Sequence, residues 1–186
     1  MLIHFIGPGG AGKTSLAKQF AIDFGAIYYD LDEHFMLKIG DISQFIAKYS
    51  YKEYAIKNIE LYKNLITTLN PDLVNIIVCS SGFMTYPNEL MDSYEEIKTQ
   101  IEDSSLTFLL LPSFELEICV KEIVRRQLQR EYLNCSSCSE EKKIRNRFPL
   151  YINFKCQRIL TNEEPSKIAF ELYKKIFIYK NTFQTI

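Results

Sequence analysis

Net charge is the first thing this 186-residue sequence lacks: 22 lysines and arginines almost balance 23 aspartates and glutamates, leaving a formal -1. Such a balance excludes a global pull towards nucleic acid or an anionic membrane surface, so any polyanion partner needs a local patch. Long apolar runs are missing too, and no segment approaches the length of a membrane-spanning helix. Glycines and prolines are few, seven and six, against 47% hydrophobic residues, which excludes a disordered, fibrous or linker-like chain. Internal repeats and low-complexity tracts are absent as well. What remains is a globular chain whose length suits one domain, 1–186, with a full core.

A disulfide framework is also excluded. The five cysteines are odd in number and scattered, which makes reduced thiols the default. Cys135 and Cys138 form a lone C-x-x-C, but neither a second pair nor a nearby histidine completes a zinc site, so a polar loop is expected there, with a redox pair or half of an intermolecular metal site as the alternatives. The N-terminus runs straight into an apolar strand with no basic-plus-apolar leader ahead of it, and the expected compartment is the cytoplasm.

Against these absences stands one complete motif. Gly7, Pro8, Gly9, Gly10, Ala11, Gly12, Lys13 and Thr14 spell G-x-x-x-x-G-K-[ST], between the apolar run Leu2–Ile6 and a helical pattern running to Phe24. Glycines let the backbone turn tightly and aim its N–H groups inward, and the positive end of the following helix adds to them. Gly9, Gly10, Ala11, Gly12, Lys13, Thr14 and Ser15 are therefore the expected triphosphate cradle. Lys13 would reach the β- and γ-phosphates, and the Thr14 hydroxyl would hold Mg²⁺.

Apolar strand-like runs recur at Leu2–Ile6, Ala26–Tyr29, Val74–Cys79, Leu106–Leu111 and Arg158–Thr161, with helical stretches between them. This alternation predicts an α/β chain with about five parallel strands and helices on both faces, the layout of a P-loop kinase. Residues 33–69 are too long for a simple crossover and predict two or three helices broken at Gly40 and Asp41, an insertion suited to an acceptor substrate. Ser113 is the expected cap of a helix running to Arg130. The polar stretch 131–143 is the expected lid, followed by a helix over 140–154, and Pro165 opens the last helix.

Asp30 and Asp32 follow the second strand on the sheet edge that carries the phosphate loop, where one carboxylate could help hold a metal and the other orient an acceptor hydroxyl. A helix cap followed by a solvated turn is the alternative reading of the pair. His4 is expected in the core or at the edge of the sheet.

The order of the phosphate loop, Asp30-x-Asp32, Ser80-Ser81-Gly82, Arg147-Phe148-Pro149-Leu150-Tyr151 and Pro165 resembles the shikimate kinase family over nearly the whole chain. That resemblance implies that Asp30 helps hold Mg²⁺, that Asp32 orients or deprotonates the acceptor hydroxyl, and that Gly82 and Arg147 bind the acceptor. It further implies that Arg130 closes over the phosphates from the lid, and that Arg126 (or Arg125) and Pro165 sandwich adenine. Two departures stand out. The family's glycine triplet reads Ser80-Ser81-Gly82, and its second substrate arginine falls near Ala55, in a sequence with no arginine between Met1 and Gln100. Lys52 and Lys57 are the candidates for a point charge in its place.

The expected activity is ATP- and Mg²⁺-dependent transfer of a γ-phosphoryl group to a hydroxyl of a small acceptor, shikimate or a related metabolite, without nucleic acid or membrane partners. A nucleoside or nucleotide kinase is a second reading, disfavoured for a monophosphate acceptor by the arginine-free first hundred residues. A degenerate kinase acting as a nucleotide-binding regulatory module is a third. The altered acceptor site favours it and the Asp30/Asp32 pair disfavours it, with the aromatic segment 49–63 as the surface for a protein partner.

Overall fold

Five short strands carry the architecture: β1 (Leu2–Ile6), β2 (Ile27–Asp30), β3 (Asn75–Val78), β4 (Thr107–Leu111) and β5 (Gln157–Leu160). They form one parallel sheet in the order β2-β3-β1-β4-β5. The computed structural model describes residues 1–129 and 136–178. β3 and β4 are buried along their whole length, and their apolar runs Ile76–Val78 and Phe108–Leu111 suit a sheet covered on both faces. Helix α1 (Lys13–Phe24) and helix α8 (Pro165–Tyr173) cover one face, burying Leu16, Phe20, Ile168 and Leu172 against Ile3, Phe5, Ile76 and Phe108. Gly25 ends α1 with φ +70°, a left-handed cap, and α8 runs on into a π-helical turn, Lys174–Ile178.

The opposite face carries α4 (Tyr51–Thr68), α5 (Tyr94–Asp103), α6 (Leu116–Leu128) and α7 (Ser137–Ile152). Before α4 come α2 (Leu31–Lys38) and α3 (Ile42–Tyr49), so the insertion after β2 holds three helices. Each of the three is started by a side-chain cap. Asp30 accepts from the N–H groups of Asp32 and Glu33, Asp41 from Gln44, and Ser50 from Glu53 in an S-x-x-E box. Ser50 is the one non-glycine residue with positive φ among those described, at +136°, and it turns the chain sharply from α3 into α4.

Three local expectations need correction. Of the stretch 131–143 expected as a lid, residues 131–135 lie outside the described residues and Ser137–Lys143 are helical, the Ser136 hydroxyl accepting from the Ser139 N–H at 3.2 Å. Ser113 does not cap α6 but bends the chain ahead of it, its Oγ accepting from the Glu115 N–H at 3.0 Å. α5, which the sequence reading did not single out, closes the sheet under β4, with Ile101 buried and Tyr94 donating to the Phe83 carbonyl. His4 is buried in β1, its Nε2 2.9 Å from the Tyr62 hydroxyl.

Register sets the location of the site. Asp30 at the end of β2 pairs with Val78 at the end of β3, which pairs in turn with Phe5 of β1. The carboxyl ends of three neighbouring strands therefore deliver the phosphate loop, the aspartates and Ser80–Gly82 to one crevice, the usual ligand edge of an open α/β sheet.

Candidate active site

Between β1 and α1 the chain makes a tight loop that only glycine-rich backbone can follow. Gly7, Gly10 and Gly12 have φ of +137°, +77° and +88°, and a Cβ on Gly7 would stand 2.5 Å from the Leu110 carbonyl oxygen of β4. The amides opening α1 lack helical partners and point into the loop, which suits an anion. Lys13 is buried, and its Nζ donates to the carbonyls of Gly7 at 2.7 Å and Pro8 at 2.9 Å. Gln127 of α6 lies over the loop, its Nε2 2.6 Å from where a Gly9 Cβ would be. That buried amide donates to Glu140 of α7 at 3.3 Å, while its Oε1 has no partner among the described residues.

Thr14 Oγ1 donates to Asp30 Oδ2 at 2.5 Å, and the other carboxylate oxygen of Asp30 accepts the two backbone N–H bonds that start α2. A hydroxyl and a carboxylate side by side at the cradle are the hard oxygen donors that Mg²⁺ prefers. Among the described residues no group of three or more His, Cys, Asp or Glu could hold a metal unaided. A cation here therefore has to share its shell with phosphate or water oxygens, the normal habit of Mg²⁺.

Asp32 sits in the first turn of α2, partly buried. Its Oδ1 accepts from the Tyr54 hydroxyl at 2.8 Å, Asn58 donates to that hydroxyl at 3.1 Å, and Ser80 donates to the Asn58 carbonyl oxygen at 3.1 Å. This chain of neutral donors runs from β3 through α4 to the carboxylate and fixes its rotamer. Burial raises the pKa of Asp32; hydrogen bonding with Ser80 opposes the shift, and the nearby charge of Asp30 adds to it. Burial and the Asp32 charge likewise hold the Tyr54 phenol well above its ordinary range, so it stays a donor. A raised carboxyl pKa makes Asp32 a better proton acceptor than an ordinary aspartate. Asp30 and Asp32 thus part company: one is a helix cap tied to Thr14, the other a partly buried carboxylate held by a tyrosine.

Across the crevice, Gly82 lies under a ring of aromatic and basic groups. An added Cβ would stand 2.2 Å from the Tyr51 hydroxyl, 2.8 Å from Tyr86 Cε1 and 3.3 Å from Arg147 NH2. Arg147 donates to the Tyr51 hydroxyl at 2.9 Å and to the Ser81 carbonyl at 3.3 Å, and Tyr151 donates to the same carbonyl. Lys52 and Lys57 supply no point charge here. Lys52 is exposed, and Lys57 is paired with Glu60 at 2.7 Å on the outer face of α4. Tyr51, Tyr54, Asn58 and Tyr86 were not anticipated as site residues. The i, i+3, i+7 spacing of the first three on one helix was the available signal.

At the other end of the cradle a cavity of about 290 Å³ is lined by Gly10, Gly12, Ser15, Arg126, Thr161 and Pro165 among others. Arg126 is fixed there by the Thr161 carbonyl at 2.7 Å and by Glu122 at 2.7 Å. Arg125 instead pairs with Glu122 on the exposed side of α6. The structure thus brings Arg126 and Pro165 together and leaves Arg125 out. Arg130 lies outside the described residues, as does Cys135; Cys138 is exposed on α7.

A five-stranded parallel sheet with helices on both faces and a phosphate loop after β1 is the P-loop kinase α/β fold. Shikimate kinase from Acinetobacter baumannii in complex with shikimate superposes with a TM-score of 0.72 at 20% identity, over 98% of this chain and 94% of that one. Shikimate kinase from Bacteroides thetaiotaomicron gives 0.68 at 16% identity, over 95% and 98%. Deoxyadenosine kinase from M. mycoides gives 0.60 at 14%, over 96% and 100%. A sequence search of the curated proteins finds no match. The family model for shikimate kinase matches residues 9–177, and the chain belongs to the shikimate kinase family, a family of P-loop small-molecule kinases. No helix among the described residues is long and apolar enough to cross a membrane.

Proposed function

We propose that the chain is a single-domain cytoplasmic phosphotransferase that moves the γ-phosphoryl group of ATP to a hydroxyl of a small acceptor, shikimate or a related hydroxylated metabolite. The insertion 33–69 forms the acceptor side. The observation that carries this reading is the pairing of two carboxylates two residues apart, one bonded to Thr14 of the phosphate loop and the other held by Tyr54 on the acceptor side.

Backbone amides of Gly9–Ser15 and Lys13 bind the phosphates, and Arg126 and Pro165 flank the adenine. Thr14 and Asp30 would hold Mg²⁺, which when bound offsets the phosphate charge. Asp32 accepts the proton of the acceptor hydroxyl as that oxygen bonds to the γ-phosphorus, and the bridging P–O bond breaks to release ADP. Gly82 lets Tyr51 and Arg147 approach the backbone closely, and the two bind the acceptor there, Arg147 orienting it. Two donor-rich sides facing one gap explain why the phosphate loop and the Ser80–Gly82 turn leave neighbouring strands at the same edge.

Purified protein assayed for ADP with ATP, Mg²⁺ and a panel of shikimate, quinate, gluconate, sugars and nucleosides tests the reading. Acceptor-dependent ADP is the expected result. Nucleotide binding with no turnover on any acceptor would replace this reading with that of a regulatory nucleotide-binding module.

A further inference from the structure

Helix α6 turns Cys119, Val120, Ile123 and Gln127 inwards. The first three are apolar, as a core-facing stripe should be, but the fourth is an amide, only 7% exposed. Its place is specific. Gln127 Cγ lies 3.3 Å from where a Cβ on Gly10 would stand, and Nε2 lies 2.6 Å from where one on Gly9 would stand. The side chain therefore runs along the phosphate loop and sets its head over Gly9. The other neighbour of that Gly9 position is the Ser81 Cβ, at 3.7 Å. Ser81 belongs to the acceptor side, its carbonyl accepting from Arg147 and Tyr151. Gly10 and Gly12, in contrast, line the cavity of Arg126 and Pro165. Gly9 thus marks the acceptor end of the cradle, and Gln127 stands over the seam that a phosphoryl group has to cross.

The amide is also oriented. Glu140 Oε2 accepts from Nε2 at 3.3 Å, and an ionised carboxylate can only accept, so the nitrogen end of the amide, not the oxygen, faces it. Glu140 is itself buried, and Lys143 offsets its charge at 2.6 Å. A primary amide carries two N–H groups; one engages Glu140, and the second has no partner among the described residues. Oε1 is buried without one as well. Packing alone does not call for such a residue, since leucine would fill the place and leave no buried polar group unpaired. A neutral donor held ready where charge spreads over a transferring group is, however, a recurring part of phosphoryl transfer sites.

We propose that Gln127 is a further catalytic residue, its free N–H donating to an oxygen of the γ-phosphoryl group as that group crosses from the cradle to the acceptor, with Glu140 as the positioning residue that keeps the nitrogen on that side. The bonds exchanged stay as stated above: the acceptor oxygen joins the γ-phosphorus, the bridging P–O bond to ADP breaks, and Asp32 takes the proton. The amide neither gains nor loses a proton. This inference rests on the phosphotransferase reading for the direction of transfer, and it adds a donor that acts on the third phosphate.

Isothermal calorimetry on the full chain with Mg²⁺ tests it, comparing ADP with the β,γ-imido analogue of ATP. Gln127→Leu should weaken the analogue about tenfold and leave ADP within about twofold, the loss expected for one hydrogen bond to a charged group. An effect confined to the third phosphate is one that lost packing would not give. Gln127→Met repeats the measurement should the leucine variant fail to fold. Glu140→Gln lets the amide turn over and should weaken the analogue about threefold, again with ADP unchanged. Equal weakening of ADP and analogue, no change in either, or tighter binding of the analogue by Gln127→Leu, the mark of a side chain that merely blocks the cradle, would overturn the proposal. An unchanged Glu140→Gln would remove Glu140 from it. The measurement needs no acceptor, so the two readings fail separately. Absence of ADP formation on every acceptor would end the transfer reading while calorimetry still decides whether Gln127 holds the third phosphate, and loss of the selective effect with transfer intact would sink this inference alone.

Discussion

Replacing Gly82 by alanine puts a single methyl group into the most crowded point of the acceptor side. Backbone strain plays no part, because Gly82 has φ -103° and ψ -12°, a conformation alanine adopts readily. The cost is contact. Tyr51 can swing into solvent to clear its 2.2 Å clash, losing its bond with Arg147, and a hydrogen bond to a charged group contributes about 1.5–3 kcal/mol when both partners are well held, less at this exposure. Tyr86 cannot retreat so easily: it is buried among the rings of Phe83, Tyr94 and Tyr51, and relieving overpacking of that kind costs about 1–3 kcal/mol. A total near 3 kcal/mol corresponds to a fall in Tm of roughly 6–12 °C for a chain of this size. Scanning calorimetry with and without ADP provides the assay. The apo Tm should drop by that amount, while the shift produced by ADP stays as in the wild type, since the cradle is built from Gly7–Gly12. An unchanged apo Tm would show that Tyr51, Tyr86 and Arg147 do not converge on Gly82, and a lost ADP shift would show that the two halves of the crevice are not separable.

Lys13→Ala should abolish acceptor-dependent ADP formation with little loss of thermal stability, checked by coupled assay and calorimetry. Asp32→Asn should retain ATP binding measured by calorimetry and lose transfer by 10²-fold or more, in line with removal of a general base; normal transfer would take Asp32 out of the chemistry. The buried His4 has its pKa lowered to about 4 by desolvation, so the folded chain keeps it neutral where the unfolded chain, near 6.5, binds a proton. Stability should therefore be lost as pH falls from about 6.5, by about 3 kcal/mol at pH 4 from this group alone. Urea unfolding at pH 7 and pH 4.5 checks it, and His4→Gln should flatten the slope by that share.

The strands and the phosphate loop were legible because each follows from a short-range rule. Val74–Cys79 and Leu106–Leu111 are apolar but for Asn75 and Thr107, as doubly covered strands tend to be, and glycine spacing with Lys13 and Thr14 leaves few alternatives. Asp30 is the helix cap of the alternative reading, and because one carboxylate has two oxygens the other is left to accept from Thr14. The acceptor side was less legible because its residues are ordinary in isolation. Tyr51 and Tyr54 fall in a segment that read as a partner surface, Tyr86 carried no signal, and only folding brings α4 and the Phe83–Thr85 turn together around Gly82. The start of α7 was missed for another reason. Serine-rich sequence favours loops and caps equally, and here Ser136 caps.

Helix α7 reaches both ends of the crevice. Glu140 in its first turn bonds the Gln127 amide that roofs the phosphate loop, and Arg147, two turns on and about 10 Å along the axis, holds Tyr51. The amide over the phosphate loop and the guanidinium over Gly82 thus hang from one helix, so a substitution that tilts α7 as a whole disturbs both at once.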